Sequence, residues 1–294
     1  MKKTTLLRKY VEAPEIVMIP GVSDALGARL AEKAGFRAVF LSGYAASASL
    51  LGAPDVGLLT MTEMVECARR IADAVAIPVF ADGDNGHGNA TNVTRAMKQF
   101  EQAGVAAIFF EDQVSPKRCG HMSGKQVIPT DEMAAKIKAA VDARVDRDLL
   151  IMARTDALSV NGLEDAIERM HHYLAAGADL SFVESPISVD QMRRITREIP
   201  APNMANMLPG GKTPMMTAQE LQDIGFSIAA YPTLLTYTMA CAAQRALAHL
   251  LDTGTLAGLS GMMMFEEFNA LIGLDELRRK ESELYAGVES RQRH

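Results

Sequence analysis

Short apolar runs alternate with amphipathic stretches along most of the chain. The apolar runs are rich in β-branched residues and end in Gly or in polar residues. The stretches between them are rich in Ala, Glu, Lys and Arg, and the next apolar run follows after roughly 25–35 residues. This alternation is typical of βα units that build a parallel sheet.

The pattern predicts eight strands and a helix in most of the intervals. The strands are predicted at residues 16–19, 38–41, 78–81, 107–110, 149–153, 180–183, 203–205 and 227–230, and the last two have weak strand propensity. Helices are predicted at residues 24–34, 62–75, 89–103, 131–143, 163–176 and 217–224, each with a suitable cap or a glycine stop. After the eighth strand, residues 234–251 and the segment 259–294 are also expected to be helical.

Eight such units in 294 residues predict a (β/α)8 TIM barrel. A doubly wound open sheet is the alternative, but it needs a phosphate-binding glycine signature after the first strand. Pro20-Gly21-Val22-Ser23 is not such a signature. No Pro/Gly/Ser-rich linker divides the chain, so residues 1–294 are predicted to form a single domain. Residues 259–294 would be a C-terminal helical extension that mediates oligomerisation.

Composition narrows the class of protein. With a formal net charge of −6, the chain is not expected to bind nucleic acid or an anionic membrane surface. No apolar run approaches the roughly 20 residues of a membrane-spanning helix. Residues 1–10 are basic but lack the apolar core of a signal peptide. Three scattered cysteines fit a reducing compartment rather than a disulfide framework, so a cytoplasmic location is expected.

Polar side chains follow the predicted strands at the end where a barrel has its active site. They are Ser42-Gly43-Tyr44, Asp82-Gly83-Asp84-Asn85-Gly86, Glu111-Asp112-Gln113, Arg154-Thr155-Asp156, Glu184, Asn206 and Tyr231-Pro232. A single polar residue at a strand end needs no functional explanation, because Asp, Asn and Gly are common in turns. A whole series of acidic, amide and guanidinium groups in register instead indicates a functional rim.

Three carboxylates on this rim predict a metal site. Asp82 and Asp84 have the strand spacing that points side chains to one side, and Glu111 follows the adjacent strand. Such charges repel one another unless a cation joins them, and oxygen ligands select Mg²⁺ or Mn²⁺. Some of these acids are expected to hold only metal-bound water. The alternative is a hydrogen-bonded Asp-Gly turn, whereas a zinc site is not expected because His87 and His121 lack ligand spacing.

The loop at residues 113–129 is long for its position, and long loops in compact domains often act as lids. It contains Lys117-Arg118-Cys119-Gly120-His121, so a cysteine stands among three basic side chains. Such neighbours predict a lowered pKa for the Cys119 thiol and a role as acid or base towards carbon. Cys67 and Cys241, by contrast, are expected to be inert apolar side chains.

An anionic substrate needs hydrogen-bond donors on the same rim. Arg154 is suited to grip a carboxylate through two hydrogen bonds. The backbone amides of residues 42–44 are suited to receive an oxyanion, and Asn206 adds a neutral donor. Glu184 is suited to position metal-bound water or a substrate hydroxyl.

Taken together, these motifs resemble those of the isocitrate lyase / phosphoenolpyruvate mutase superfamily. Residues 117–121 are similar to its Lys-Lys/Arg-Cys-Gly-His loop, and residues 82–86 to its metal-binding Asp-x-Asp-x-Gly motif. Further motifs fit in the same order: Ser42-Gly43-Tyr44, Leu51-Gly52-Ala53-Pro54-Asp55, Glu111-Asp112-Gln113, Ala153-Arg154-Thr155-Asp156 and Asn206-Met207. The match spans most of the chain.

The resemblance implies a (β/α)8 barrel whose last helix swaps between subunits, in a homotetramer built as a dimer of dimers. It implies that Asp82 and Asp84 hold Mg²⁺, directly or through water. Asp55 and Glu111 would complete the shell of metal-bound water. Asn85 departs from the metal motif, where Thr is more usual, and only a local adjustment is expected from it.

The resemblance also implies the residues that act on the substrate. Cys119 would be the acid/base of the lyase branch, on a gating loop with Lys117 and His121, and Asp55 would belong to the same catalytic centre. The implied substrate-binding residues are Ser42, Gly43, Tyr44, Gly120, Arg154, Glu184 and Asn206.

Two positions bear on the substrate. Methylisocitrate lyases have Arg at the positions of Tyr237 and Met122, and the first of these meets their substrate's extra carboxylate. A site with fewer guanidiniums should prefer a dicarboxylate. Residues 120–129 and 206–214 also resemble those of the alkylmalate lyase and oxaloacetate hydrolase relatives.

The resulting hypothesis is a Mg²⁺-dependent carbon–carbon lyase. It would cleave a 2-substituted malate such as 2,3-dimethylmalate to pyruvate and a carboxylic acid. The alternatives are methylisocitrate lyase, which releases succinate with pyruvate, oxaloacetate hydrolase, and a carboxyphosphono-type phosphonomutase. Cys119 favours the lyases, because the phosphonate branches generally lack this cysteine, although the carboxyphosphono mutases carry a similar loop. A non-catalytic scaffold protein with the same barrel is a further alternative, and the intact acid cluster and Cys119 disfavour it.

Overall fold

The computed structural model describes residues 1–292. Within them, parallel strands form one sheet in the order β6-β5-β4-β3-β2-β1-β8-β7. The strands are β1 (Val17–Val22), β2 (Val39–Leu41), β3 (Val79–Asp82), β4 (Ala107–Glu111), β5 (Leu150–Thr155), β6 (Leu180–Val183), β7 (Met204–Asn206) and β8 (Ile228–Tyr231). A parallel bridge between Ser181 and Asn203 joins the two outer strands of that order. The predicted (β/α)8 barrel is confirmed.

Helices connect the strands and continue beyond them. They are α1 (Lys3–Glu12), α2 (Ala25–Lys33), α3 (Gly43–Leu51), α4 (Met61–Ala74), α5 (Ala90–Gln102), α6 (Thr130–Ala143), α7 (Leu163–Ala175), α8 (Val189–Glu198), α9 (Ala218–Asp223), α10 (Leu234–Thr253), α11 (Phe265–Leu271) and α12 (Leu274–Gln292). The strands and helices predicted up to residue 253 form within three residues of their expected ends.

Helices α1, α3 and α8 were not expected from the sequence. Helix α3 has no apolar stripe because small side chains bury it on several sides, Ala45 and Ala46 among them. Half of the residues of helix α8 are charged, and the helix buries Met192 and Ile195. In α1 and α3 the packing of the barrel decides the structure, since their own amphipathic periodicity is weak. Helix α8 is strongly amphipathic, so its sequence pattern does favour a helix.

Alternating side chains divide the strands between two cores. Inward-facing residues, such as Phe40 and Met152, fill the barrel with side chains of several strands. Their chain neighbours, such as Val39 and Ile151, pack outward against the helices. Helix α1 closes the barrel interior at one end, because its Leu7 belongs to the inner core. This two-sided burial explains why the strands are apolar throughout.

The chain divides into two compact units, residues 1–238 and the residues from 239 onward, and the boundary falls within α10. The first unit contains the barrel. In the second, α11 contacts α12 and Leu271 is buried. The extension predicted at 259–294 is helical over α11 and α12, and its last two residues lie outside the described residues. The prediction of one domain over 1–294 stays a prediction.

Two expectations drawn from composition concern cysteines and membranes. All three cysteines are free, and Cys67 is buried as expected. Cys241 is exposed, and the expectation that both cysteines are inert stays a prediction. No helix within residues 1–292 combines the length and the apolar character that crossing a bilayer requires.

Candidate active site

The alternation of the strands places the predicted site residues inside the barrel. Six of them follow an inward-facing apolar residue by two positions, so their side chains point the same way. The pairs are Phe40 with Ser42, Phe80 with Asp82, Phe109 with Glu111, Met152 with Arg154, Phe182 with Glu184, and Met204 with Asn206. The polar residues therefore form a layer on top of an apolar one, at the carboxyl ends of the strands.

The structure brings all the predicted site residues together. A single cleft is lined by Ser42, Tyr44, Asp55, Asp82, Lys117, Cys119, Gly120, His121, Arg154, Glu184 and Asn206. The other three contact this lining. The Gly43 amide donates to Asp82, Asp84 pairs with Lys117, and Glu111 lies 3.3 Å from Arg154.

Aromatic rings form the floor of the cleft. Phe40, Phe109 and Phe182 line it, and Phe80 packs against the first two of these rings. The ring centroids of Phe109 and Phe182 are 6.0 Å apart. The guanidinium carbon of Arg154 lies 5.5 Å from the first centroid and 5.2 Å from the second. The floor excludes water beneath the polar layer, which strengthens the electrostatic interactions there.

Arg154 is a buried cation surrounded by carboxylates. Its Nε donates to Asp156 Oδ2 at 3.0 Å, and its two terminal nitrogens lie 3.3 Å from Glu111 and Glu184. Burial acts to lower the pKa of Arg154, but these carboxylates outweigh it and raise the pKa well above its usual range. The same guanidinium helps keep the pKa of Glu184 low despite that residue's burial. Arg154 is therefore fixed in its charged form and aimed at the cleft.

Lys117 occupies the space between two acids. Its ammonium lies 2.7 Å from Asp55 Oδ1 and 2.7 Å from Asp84 Oδ1. Burial acts to lower the pKa of Lys117, but the attraction of Asp84, Asp82 and Asp55 prevails and raises it. The lysine thus joins the loop at residues 113–129 to acids on two neighbouring connections.

Asp84 reaches the site by a different route from the one predicted. Strand β3 ends at Asp82, and Asp84 stands in a turn with a φ of 49°. The expectation that strand spacing aligns the two aspartates is therefore wrong. The turn instead lets the Asp84 amide donate to Asp82 Oδ1 at 2.9 Å, while Asp82 Oδ2 accepts from the Gly43 amide at 3.1 Å.

These acids fit a divalent metal ion with few direct protein ligands. Within residues 1–292, no three His, Cys, Asp or Glu side chains are grouped closely enough to hold an ion by themselves. Burial and, after it, the charge of Asp84 raise the pKa of Asp82 to about 7, so a nearby cation would stabilise the charged form of this carboxyl. Glu111 Oε1 is buried without a hydrogen-bond partner. Oxygen ligands with spare acceptor capacity suit a hydrated Mg²⁺ or Mn²⁺ ion.

Cys119 faces the cleft as a half-buried thiol. Its backbone amide donates to Asp55 O at 3.1 Å, which fixes this part of the loop against the acid cluster. Burial raises the pKa of the Cys119 thiol, so the expectation of a lowered pKa is wrong. The flanking Lys117 is engaged by carboxylates, and the nearby Glu184 further opposes the thiolate. Cys119 is therefore suited to act as a thiol acid.

Gly120 is a position where the site admits no side chain. A Cβ there would lie 2.5 Å from Arg154 Nη2 and 2.5 Å from Glu184 Cγ. The next residue, His121, has its Nε2 atom 3.4 Å from Glu184 Oε1. The loop is thereby pressed directly onto the polar layer.

Two tyrosines and an amide form the mouth of the cleft. The ring of Tyr44 meets the ring of Tyr237 at an interplanar angle of 80°. The hydrogen bond between the two hydroxyls, together with burial, raises the pKa of Tyr44 to about 12. Asn206 donates to Glu184 at 3.2 Å, while its Oδ1 atom has no partner and is free to accept from a ligand.

Two residues of the site were given no role from the sequence. Lys125 is buried in the loop and donates to Gly120 O and, at 2.6 Å, to Asp156. Thr233 lines the cleft with a buried hydroxyl that has no partner. Thr233 directly follows Tyr231-Pro232. It would have been found if one more residue had been considered after each predicted strand. No pattern in the sequence distinguishes Lys125 from an exposed loop lysine.

The chain is similar to known proteins over nearly its whole length. The sequence model of the family described as phosphoenolpyruvate phosphomutase matches residues 7–251. The 2,3-dimethylmalate lyase of Eubacterium barkeri is 46% identical, over 98% of this chain and 100% of the relative. The 2-methylisocitrate lyase of Aeropyrum pernix is 41% identical, over 95% of this chain and 90% of the relative.

Solved structures show the same similarity. A crystal structure of 2,3-dimethylmalate lyase superposes with a TM-score of 0.92 at 35% identity, covering 97% of this chain and 96% of the other. A phosphonopyruvate hydrolase in complex with oxalate and Mg²⁺ superposes with a TM-score of 0.87 at 30% identity, covering 96% and 99%.

Proposed function

The chain belongs to the phosphoenolpyruvate phosphomutase family, and from that premise we propose that it is a Mg²⁺-dependent lyase acting on a 2-alkylated malate such as 2,3-dimethylmalate. The observation that carries the proposal is Cys119, a thiol kept protonated by burial beside a buried guanidinium. A protonated thiol is suited to give a proton to carbon. The 46% identity to a 2,3-dimethylmalate lyase supports the same substrate class.

The charges of the cleft favour a dicarboxylate. Arg154 is the buried guanidinium of the cleft. Arg118 also lines the cleft, but it is exposed and its Nη1 atom donates to Ser123 O. At the mouth stands Tyr237, a neutral residue. Leu208 and Pro232 line the cleft and offer apolar surface to the alkyl groups of a branched malate. A third carboxylate would find less positive charge in the described part of the cleft than the first two.

The reaction can be written with the chain's own groups. The bond between C2 and C3 of the malate breaks, the C2 hydroxyl loses its proton to a base, and C2 becomes the keto carbon of pyruvate. The electron pair remains on the C3 fragment as an enediolate-like carbanion, and the Cys119 thiol protonates it. With 2,3-dimethylmalate the second product is propionate.

The other residues bind and orient the substrate. Arg154 holds a carboxylate, and Asn206 and Glu184 fix the substrate's polar groups. The aromatic floor excludes water below the reacting carbons. Asp82 and Asp84 would hold Mg²⁺, with Asp55 and Glu111 around its waters. The bound ion supplies Lewis-acid stabilisation of negative charge on the substrate's oxygens.

The test measures pyruvate release, coupled to lactate dehydrogenase, with Mg²⁺ and a panel of substrates. The panel contains 2-methylmalate, 2,3-dimethylmalate and 2-methylisocitrate, and oxaloacetate hydrolysis is followed separately. The proposal expects an alkylmalate to have the highest kcat/KM. If 2-methylisocitrate or oxaloacetate is preferred, the substrate assignment is wrong. If nothing turns over, phosphorus NMR with phosphonate substrates tests the mutase alternative.

The role of Cys119 is tested with Cys119→Ser. The variant should lose roughly 10²–10⁴-fold in kcat, the usual contribution of a positioned acid. Cys67→Ser is the matched control, because Cys67 lies in α4 and lines no part of the described cleft. A Cys119→Ser enzyme with full lyase activity would contradict the assigned role.

We further propose that the enzyme is a cytoplasmic homotetramer whose C-terminal helices exchange between subunits. The second unit supports an oligomer, because many of its large apolar side chains are exposed, such as Leu247, Leu251 and Phe265. Contiguous exposed apolar surface often marks an interface. Light scattering during size-exclusion chromatography should give four times 31.7 kDa. A monomer mass would contradict the assembly.

A further inference from the structure

Two loops of the barrel meet at the ring of His121. One is the loop at residues 113–129 after β4, which contains Cys119. The other is the loop at residues 207–217 after β7. The backbone amide of Lys212 in the second loop donates to His121 Nδ1 in the first, over 3.1 Å. Although they are 91 positions apart in sequence, these two residues join opposite sides of the cleft.

This hydrogen bond sets the protonation of the imidazole. A backbone N–H has only a proton to give, so Nδ1 must be the acceptor and therefore carries no proton. A neutral His121 then has its proton on Nε2, which faces Glu184 Oε1 at 3.4 Å. The Lys212 amide thus leaves the proton on Nε2, a buried atom that lies near Glu184 and has no hydrogen-bond partner.

Gly211 leaves room for the imidazole ring. Its φ is not in the left-handed region, so the backbone at this position would accept a side chain. A Cβ on Gly211, however, would lie 2.8 Å from His121 Nδ1 and 2.9 Å from its Cε1 atom. It would also lie 3.0 Å from Leu208 O in its own loop. The glycine is required by the ring that packs on it.

The residue before His121 is held from two other strands. Ser185, which follows β6, donates to Gly120 O at 3.1 Å. Lys125 donates to the same oxygen and to Asp156, which follows β5. Residues 120–121 are consequently fixed by groups at the ends of β5, β6 and β7, and the β7 contribution consists of backbone alone.

We infer that Gly211 and the Lys212 amide are positioning residues that hold His121 in its Nε2-protonated form and keep the loop at residues 113–129 over the cleft. The inference goes beyond the proposed function and does not depend on which acid is cleaved. It assigns the loop after β7 a part in closing the site. Disturbing that loop should therefore expose Cys119, although the two loops are far apart in sequence.

The first test follows alkylation of Cys119 by iodoacetamide in a Cys67→Ser/Cys241→Ser background. Gly211→Ala should raise the alkylation rate about three- to tenfold, the population shift expected when one hydrogen bond is lost. Lys212→Ala is the matched control, since it removes an exposed side chain and keeps the amide, and its rate should stay within about twofold of the parent. An unchanged rate in Gly211→Ala, or an equal rise in Lys212→Ala, would overturn the inference.

A double-mutant cycle separates the His121 contact from the contact with Leu208. If Gly211→Ala acts through the imidazole, the same change should have little effect on alkylation in a His121→Ala background. If the change has its full effect there, it acts within its own loop and the inference is wrong. The readout needs no substrate, so it stays informative even if the proposed lyase reaction fails.

Hydrogen exchange tests the same contact with a variant that leaves the sequence of the loop after β7 unchanged. His121→Ala removes the acceptor, so the Lys212 amide should exchange at least several times faster than in the parent. An amide that remains equally protected does not depend on His121, and this result would also overturn the inference.

The kcat/KM of Gly211→Ala should fall while that of Lys212→Ala is retained, because misplacing a site group by a fraction of an ångström reduces turnover.

Discussion

The hydroxyls of Tyr237 and Tyr44 lie 3.3 Å apart and share a hydrogen bond at the mouth of the active site. The pair brings residues 193 positions apart in sequence into one polar contact. Both partners are neutral, and the raised pKa of Tyr44 keeps that hydroxyl protonated. The mouth therefore offers hydrogen bonds to a ligand but no fixed positive charge at this point.

Tyr237→Arg should shift the enzyme towards a substrate with a third carboxylate. A guanidinium at the mouth would pair with that carboxylate, so the ratio of kcat/KM for 2-methylisocitrate to that for 2,3-dimethylmalate should rise about tenfold or more. Tyr237→Phe is the control, because it removes the hydrogen bond to Tyr44 without adding charge. If the ratio changes equally in both variants, the shift reflects loss of the tyrosine contact and not charge.

Alkylation of Cys119 should show an inflection above pH 9.0, the ordinary value for a thiol. Burial disfavours the thiolate, so the reactive form is scarcer at neutral pH than for an exposed cysteine and increases as the pH rises. The measurement is the iodoacetamide rate against pH in a Cys67→Ser/Cys241→Ser background. An inflection below the ordinary value would restore the expectation from sequence, in which basic neighbours activate the thiol.

Asp82→Asn should weaken Mg²⁺ binding by about 10–100-fold, as measured by calorimetry. The change removes one negative charge from the acid cluster and keeps the shape of the side chain. Glu168→Gln makes the same change of charge on the exposed face of α7 and should leave the affinity unaltered. Equal losses in the two variants would show a general charge effect in place of a site at Asp82.

Tyr173→Phe should lower the free energy of unfolding by about 1–3 kcal/mol. The Tyr173 hydroxyl is buried and donates to Asp112 Oδ2 at 2.9 Å, beside a second donor to that oxygen, Thr155. Removing it leaves a buried carboxylate short of one hydrogen bond. Urea denaturation of the variant, with the exposed Tyr285→Phe as control, measures the effect. Identical midpoints would contradict the prediction.

The barrel and its rim could be predicted because strand geometry is regular. Arg154 and Glu184 each follow an inward-facing residue by two positions, and that spacing is visible in the sequence. Parallel strands end at the same edge, so polar residues distant in sequence had to converge. The family resemblance added Asp55, which stands between α3 and α4, where no strand indicates its direction.

Other features depend on tertiary packing and could not be predicted. The left-handed conformation that brings Asp84 to the site is set by a turn, not by strand periodicity. The pKa of Cys119 depends on how deeply the loop is buried, and its charged neighbours in sequence gave the wrong sign. The contact between Lys212 and His121 depends on a backbone amide, which every residue except proline possesses.

The aromatic floor has a consequence for the choice between lysis and hydrolysis. Phe109 and Phe182 close the cleft from below, so solvent approaches the reacting carbons from the side of the loops. Whether the substrate undergoes lysis or is attacked by water then depends on how the rate of loop opening compares with the rate of bond cleavage. In this enzyme, the lifetime of the closed loop at residues 113–129 would then set how often hydrolysis competes with lysis.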